Sequence, residues 1–319
     1  MPDTCIALAP MEGLADVDLR AVLAGMGGFD WAVSPFVRVT NSLLPERAFF
    51  RVCPELRHGS RTPDGTPVRV QLLGSDPECL ADNADRLVAL SPLGVDLNFG
   101  CPAPTVNRHR GGAVLLAEPE LLHRIASAVR PKIPHNIPFT AKMRLGVEDV
   151  HLAVECALAL QAGGVDALIV HGRTRADGYR PPARWEEIAR VREALVIPVM
   201  ANGEVWNVAD YAAIRAATGC DAIMLGRGAV ADPFLARRIR DLRDSRGLPN
   251  QGWRELFPAL QTYWSAVCRR VAPRHAPGRL KQWLALLNRA YPEAALLSQQ
   301  LRALTRVAEV DALLAAQRF

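Results

Sequence analysis

Lysine is scarce in this chain: of 38 basic residues only three, Lys132, Lys142 and Lys281, are not arginine. No run approaches the ~18 uninterrupted apolar residues that a bilayer-spanning helix needs, so a transmembrane helix is excluded. The opening segment MPDTCIALAPMEG has no basic region ahead of its short apolar run, so we expect no cleaved secretory signal and a cytoplasmic location. The cysteines Cys5, Cys53, Cys79, Cys101, Cys156, Cys220 and Cys268 are odd in number and scattered. None forms a CxxC pair and none lies at a metal-finger spacing to histidine, so neither a disulfide framework nor a metal is expected. A GxGxxG after the first apolar run is also missing, which weighs against an open dinucleotide-binding sheet.

What is present supports a large packed core. Half of the 319 residues are hydrophobic and 22% are charged, which excludes wholesale disorder. At ~150 residues per domain the length implies about two domains, although one α/β barrel can absorb most of the chain. The net charge of +5 is unevenly placed. From Gly247 onward ten basic residues (Arg254, Arg269, Arg270, Arg274, Arg279, Lys281, Arg289, Arg302, Arg306 and Arg318) face four acids (Glu255, Glu293, Glu309 and Asp311). The tail therefore carries +6 and the rest −1. A basic appendage on a neutral body points to a polyanionic partner, and a solvated helical surface explains the charge equally well.

The first 240 or so residues repeat one cadence, a short apolar run followed by an amphipathic stretch. The runs are CIALAP (5–10), DWAVSPF (30–36), VRVQLL (68–73), GVDLNFG (94–100), FTAKMRLG (139–146), DALIVHGR (166–173), IPVMANGE (197–204) and DAIMLGRG (221–228). Between them, segments 77–90, 150–163 and 207–218 have apolar residues every three to four positions, the period of a helix. Asp76-Pro77 and Asp232-Pro233 read as helix starts, since proline in a first turn forfeits little. From Pro10 to Gly226 is 216 residues in seven steps, about 31 per step, the length of a βα unit. Eight such units predict a (β/α)8 TIM barrel. The cadence breaks at Asp244–Gly252, a linker. Only helical patterns follow, at 253–271, 277–290, 293–303 and 305–316, and a C-terminal all-α bundle is expected there.

In such a barrel the active site lies at the C-terminal ends of the strands. Those ends are where the apolar runs turn polar: Gln71, Asn98, Lys142, His171 and Asn202 come from five strands, with Cys101, Arg144 and Arg173 just beyond. Carboxamides, an ammonium and an imidazole suit a flat heterocycle with imide edges. An isoalloxazine needs donors and acceptors along its pyrimidine edge and a cation near N1/O2, a place Lys142 can fill. A snorkelling strand-end lysine is the plainer reading, weakened by the rarity of lysine here. Asn202-Gly203-Glu204 and Gly226-Arg227-Gly228 follow strands seven and eight, the usual phosphate corner of such barrels. A thiol of ordinary pKa, roughly 8.5, is protonated at neutral pH, so Cys101 in its Gly- and Pro-framed loop can deliver a proton. Opposite a hydride donor, it would complete reduction of a carbon–carbon double bond; otherwise it is a small buried hydrophobe.

The motifs LAPMEG (8–13), VQLLG (70–74), DLNFGCP (96–102), KMRLG (142–146), VHGRT (170–174), ANGE (201–204) and GRG (226–228), in this order and over nearly the whole chain, resemble the tRNA-dihydrouridine synthases. These flavoproteins reduce the C5=C6 bond of a D-loop uridine. The resemblance implies FMN held by Pro10, Met11, Glu12, Gln71, Lys142, His171, Asn202, Gly203, Glu204, Gly226 and Arg227. It further implies hydride from flavin N5, a proton from Cys101, and NADPH as reductant. PMEG (10–13), SPFVRV (34–39), CPELRHGSRTPDGTPVRVQLLG (53–74) and GRLKQW (278–283) are similar to the bacterial C-type branch, whose target is uridine 16. By that resemblance Arg38, Asn98, Arg144, Arg279 and Lys281 contact tRNA. In GRLKQW, Trp283 is expected in the core, with Arg279 and Lys281 facing the nucleic acid. The expected division is an FMN-binding catalytic barrel, 1–245, and a basic tRNA-binding helical domain, 246–319, acting as a monomer without a stable protein partner or membrane contact. Three alternatives stand: an FMN-dependent reductase of a free pyrimidine resembling dihydroorotate dehydrogenase, a Schiff-base aldolase using Lys142, and a non-catalytic tRNA-binding protein.

Overall fold

The computed structural model describes residues 4–247 and 251–317. Its eight strands are β1 Ile6–Leu8, β2 Trp31–Arg38, β3 Val68–Leu73, β4 Val95–Phe99, β5 Phe139–Arg144, β6 Ala167–His171, β7 Val199–Asn202 and β8 Ile223–Leu225. All pair in parallel with their sequence neighbours, and β8 closes onto β1. Parallel strands covered on both faces are apolar on both, which is why each run read as continuous. Along β1 the alternation is plain: Ile6 and Leu8 pack outward against the helices, while Cys5, Ala7 and Ala9 join Trp31, Val33, Ile169, Met200, Ala222 and Met224 inside the barrel. A register shift between Val33 and Phe36 accommodates Pro35, whose nitrogen cannot donate to the ladder.

The helices start and stop where their caps dictate. Pro77–Val88 opens on Asp76, whose carboxylate accepts the Cys79 N–H at 2.7 Å. Val208–Thr218 opens on Asn207 and ends at Gly219 in the left-handed region, φ 65°. The helix expected to start at Asp232-Pro233 instead begins at Leu235 and runs to Arg243. Asp232 is occupied otherwise: its carboxylate accepts from Phe234 N–H, Arg238 Nη1 and Tyr291 Oη. It thereby ties the turn before that helix to the C-terminal region.

That region is four helices, Trp253–Arg270, Ala276–Leu287, Pro292–Leu301 and Val307–Ala316. Of the expected linker, Leu248–Asn250 lies outside the described residues, as does Arg318. The helices share one apolar core with the barrel's outer layer. Trp283 is fully buried, donates its indole N–H to Val230 O at 3.0 Å, and meets Tyr263 edge-on at 4.9 Å. A polar clamp reinforces this contact, with Arg270 reaching Asp16 and Asp18, and Arg279 reaching Asp16 and the carbonyls of Gly13 and Leu14. Among the described residues no helix is long and apolar enough to cross a membrane.

Candidate active site

Strand register gathers the polar strand ends onto one rim. Asn98 pairs with Lys142 across β4 and β5, Arg144 with His171 across β5 and β6, and His171 with Asn202 across β6 and β7. They open into a cavity of about 880 Å³ at the C-terminal mouth of the barrel. Its lining includes Pro10, Met11, Glu12, Gln71, Cys101, Lys142, His171, Asn202, Gly203, Glu204, Gly226 and Arg227, together with Arg38, Asn98 and Arg144. Residues 219 positions apart in sequence, Ala9 and Gly228, thus line one cavity.

The base of the cavity is cationic and buried. Lys142 has neither a carboxylate nor a hydrogen-bond partner among the described residues. Burial first, then Arg144, pulls its pKa down from 10.5 to about 8. His171 is pushed well below 6.5 by burial and by Lys142, Arg144, Arg173 and Arg227, so it is neutral. Arg173 Nη1, which can only donate, lies 3.3 Å from His171 Nε2. The imidazole proton therefore sits on Nδ1. Burial pushes the Cys101 thiol up, which keeps it protonated at neutral pH.

Two backbone features shape the corner after β7 and β8. A Cβ on Gly203, at φ 119°, would stand 2.8 Å from His171 Cδ2, and one on Gly228 would collide with the Val205 carbonyl. Glycine is therefore required at both positions. Between them Glu204 is held in the left-handed region, φ 66°, with its carboxylate paired to Arg173 and near the Trp206 indole N–H. Arg227 lies over two rings, Tyr179 at 4.7 Å and Trp206 at 5.3 Å, and makes no ion pair among the described residues. Arg289 covers Trp206 at 3.9 Å.

The residues expected to meet RNA separate. Arg38 is exposed at the mouth, and Asn98 lines the cavity. Arg144 is buried, with its guanidinium on the carbonyls of Gly100, Thr174 and Gly178. Arg279 and Lys281, expected to face nucleic acid, are partly exposed and also hydrogen-bonded within the protein: Arg279 in the clamp above, and Lys281 donating to the Arg302 and Leu304 carbonyls at 3.1 and 2.7 Å. Neither lines the cavity. Sequence reasoning did not single out Tyr179 and Trp206, which reach the mouth on irregular loops, or Asp96 and Thr140 beneath it. The only available signal for Asp96 was an acid inside an apolar run.

The family model for dihydrouridine synthase matches residues 7–316. The chain belongs to the dihydrouridine synthase family. It is 54% identical over 310 residues to the tRNA-dihydrouridine(16) synthase of Aquipseudomonas alcaligenes, covering 97% of this chain and 98% of that one. It is 44% identical to the enzyme of the same name from Neisseria meningitidis serogroup A, covering 98% and 94%. Two solved structures share the barrel: 2-naphthoyl-CoA reductase (TM-score 0.56, 12% identity, 76% of this chain and 50% of that) and histamine dehydrogenase from Rhizobium sp. 4-9 (0.54, 14%, 75% and 46%). At those identities the likeness is one of fold alone. For a dihydrouridine synthase, the mouth of the barrel is thus the place to look for chemistry, and the cavity just described occupies it.

Proposed function

We propose that this dihydrouridine synthase reduces uridine 16 of the tRNA D-loop, holding FMN in the barrel mouth and drawing electrons from NADPH. The residues present fit that cofactor. The unpartnered ammonium of Lys142 suits the electron-rich pyrimidine edge of a flavin. The carboxamides of Gln71 and Asn202 supply polar contacts, while Ala9, Met11 and Met224 offer apolar walls. Gly203, Gly226 and Arg227, beside neutral His171, suit a phosphate. When bound, the flavin supplies the hydride chemistry.

The protein's own groups do the rest. Lys142 orients the ring and balances negative charge at its edge. Cys101 holds its proton on Sγ, at the cavity wall, for transfer to C5 of the uracil. Arg144, fixed by three carbonyls, faces the same cavity as a rigid cation beside the base. Uridine must leave its stack to enter, so the exposed Arg38 and the helical tail would grip the flanking tRNA backbone. Because tRNA is the substrate, we place the reaction in the cytoplasm.

The observation that carries this reading is that Cys101, in the loop after β4, and Lys142, on β5, line one cavity. Cys101→Ala should keep bound flavin and tRNA affinity but slow dihydrouridine formation by about 10²-fold or more. Normal turnover by that variant would remove Cys101 from its role. Mapping dihydrouridine in tRNA from cells lacking the protein should show position 16 unmodified; loss at another position would overturn the site assignment.

A further inference from the structure

Beneath the cavity runs a chain of buried hydrogen bonds with a single direction. Thr140 Oγ1 donates to Asp96 Oδ1 at 2.5 Å, and Gln71 Nε2 donates to Asp96 Oδ2 at 2.6 Å. Asn98 Nδ2 donates to Gln71 Oε1 at 2.6 Å. Asn98 Oδ1 then accepts two backbone N–H groups, Gly100 at 3.0 Å and Cys101 at 2.9 Å. The other side of Cys101 is pinned as well, since its carbonyl accepts from Ala113 N–H at 3.0 Å and Asn107 Nδ2 at 2.8 Å.

An amide can be turned either way at little intrinsic cost, so something must decide which end of Asn98 meets Cys101. A carboxylate can only accept. The two ends of the chain agree: the backbone N–H groups of Gly100 and Cys101 can only donate to the Asn98 oxygen, and Asp96, accepting from the Gln71 nitrogen, turns the Gln71 oxygen toward Asn98. Reversing any amide would set N–H against N–H, or oxygen against oxygen, within a chain of buried side chains. The same count leaves each amide one uncommitted N–H, and both residues line the cavity.

We propose that Asp96 is a positioning residue that anchors the accepting end of this amide chain and so holds the Cys101 loop in register with the cavity. The proposal deepens the reading of Cys101 as proton donor and rests on it for its effect on turnover. Its effect on the loop is measurable separately.

The test compares Asp96→Asn with the double variant Asp96→Asn/Thr140→Val. Asparagine at 96 can still accept from Gln71 if its own nitrogen donates to Thr140; removing the Thr140 hydroxyl takes away that bias. Three quantities are read in flavin-loaded protein: kcat and KM for tRNA, the rate of Cys101 alkylation by iodoacetamide followed by peptide mass spectrometry, and the thermal midpoint. We expect kcat to fall about threefold to tenfold in the single variant and further in the double, with KM within about twofold. Cys101 should alkylate faster in the same order, as its loop loosens. Unchanged kcat and alkylation in both variants, whatever happens to the midpoint, would reduce Asp96 to a structural residue and overturn the proposal. A change confined to KM would do the same. If the double variant does not fold, the single one decides by the same criteria. Should Cys101→Ala keep normal turnover, the donor assignment fails, and the alkylation rates still judge the relay by themselves.

Discussion

Lys142 shows how a residue can be costly to the empty protein and useful to the loaded one. With its pKa pulled from 10.5 down to about 8, the folded chain holds that proton less tightly than the unfolded chain does. Its contribution to stability is therefore fully present above 10.5 and is lost as the pH falls through about 8. An electron-rich ring edge placed against the ammonium reverses the cause of the shift, so flavin binding should take up a proton. Affinity should be flat below pH ~8 and weaken above it by up to about tenfold per pH unit. Fluorescence titration of FMN into flavin-free protein from pH 7 to 9.5 checks this, and Lys142→Met should bind more weakly with a level profile. A level profile in the unsubstituted protein would mean that Lys142 does not touch the flavin. Lys142 and Cys101 stood out in the sequence because Lys142 breaks an apolar run and Cys101 follows one in a Gly- and Pro-framed loop. Asp96 was not, since an inward-facing acid looks the same in sequence whether it caps a ladder or directs a relay.

At the level of elements, the loop after β1 is where the barrel meets the helices that follow it. Asp16 serves twice there: one oxygen caps the helix Val17–Gly25 by accepting Leu19 N–H at 3.1 Å, and the other takes Arg270 and Arg279. Loss of a cap costs about 1 kcal/mol. Each partly exposed ion pair adds a few tenths, to about 1 kcal/mol at most. Asp16→Ala should therefore destabilise the protein by about 2 kcal/mol in denaturant titrations, while Asp16→Asn, which keeps the cap, should lose less than half of that. Equal losses would place the stability in the clamp alone. The elements themselves were legible, because period and punctuation are local: the segments 207–218 and 253–271 became Val208–Thr218 and Trp253–Arg270. Their partners were not. Arg279 lies 263 residues from Asp16, and nothing near GRLKQW signals that its cations are already engaged. At Asp232-Pro233, too, the local signal was only part of the story: Asp232 accepts the Phe234 N–H and also the hydroxyl of the distant Tyr291.

The molecule as a whole carries +5, modest for a protein that must hold a polyanion, so where the free charge lies matters more than its sum. Lys281 is tied to two carbonyls and Arg279 to a carboxylate, whereas Arg38 and Arg289 are exposed beside the cavity with no acidic partner among the described residues. A cation that meets a phosphate releases a counterion, so its removal should reduce the slope of log affinity against log salt by about one. A cation that caps a helix end releases none. Arg289→Ala should therefore weaken tRNA binding at low salt, flatten the salt dependence by about one unit, and leave the thermal midpoint nearly unchanged. Lys281→Ala should do the opposite, lowering the midpoint and leaving the slope as it was. Filter binding of unmodified tRNA between 50 and 300 mM salt, paired with thermal denaturation, separates the two. If Lys281→Ala flattens the slope instead, its ammonium leaves the carbonyls of Arg302 and Leu304 when tRNA docks. The helical tail would then be a surface that rearranges for its substrate, and not one that is set in advance.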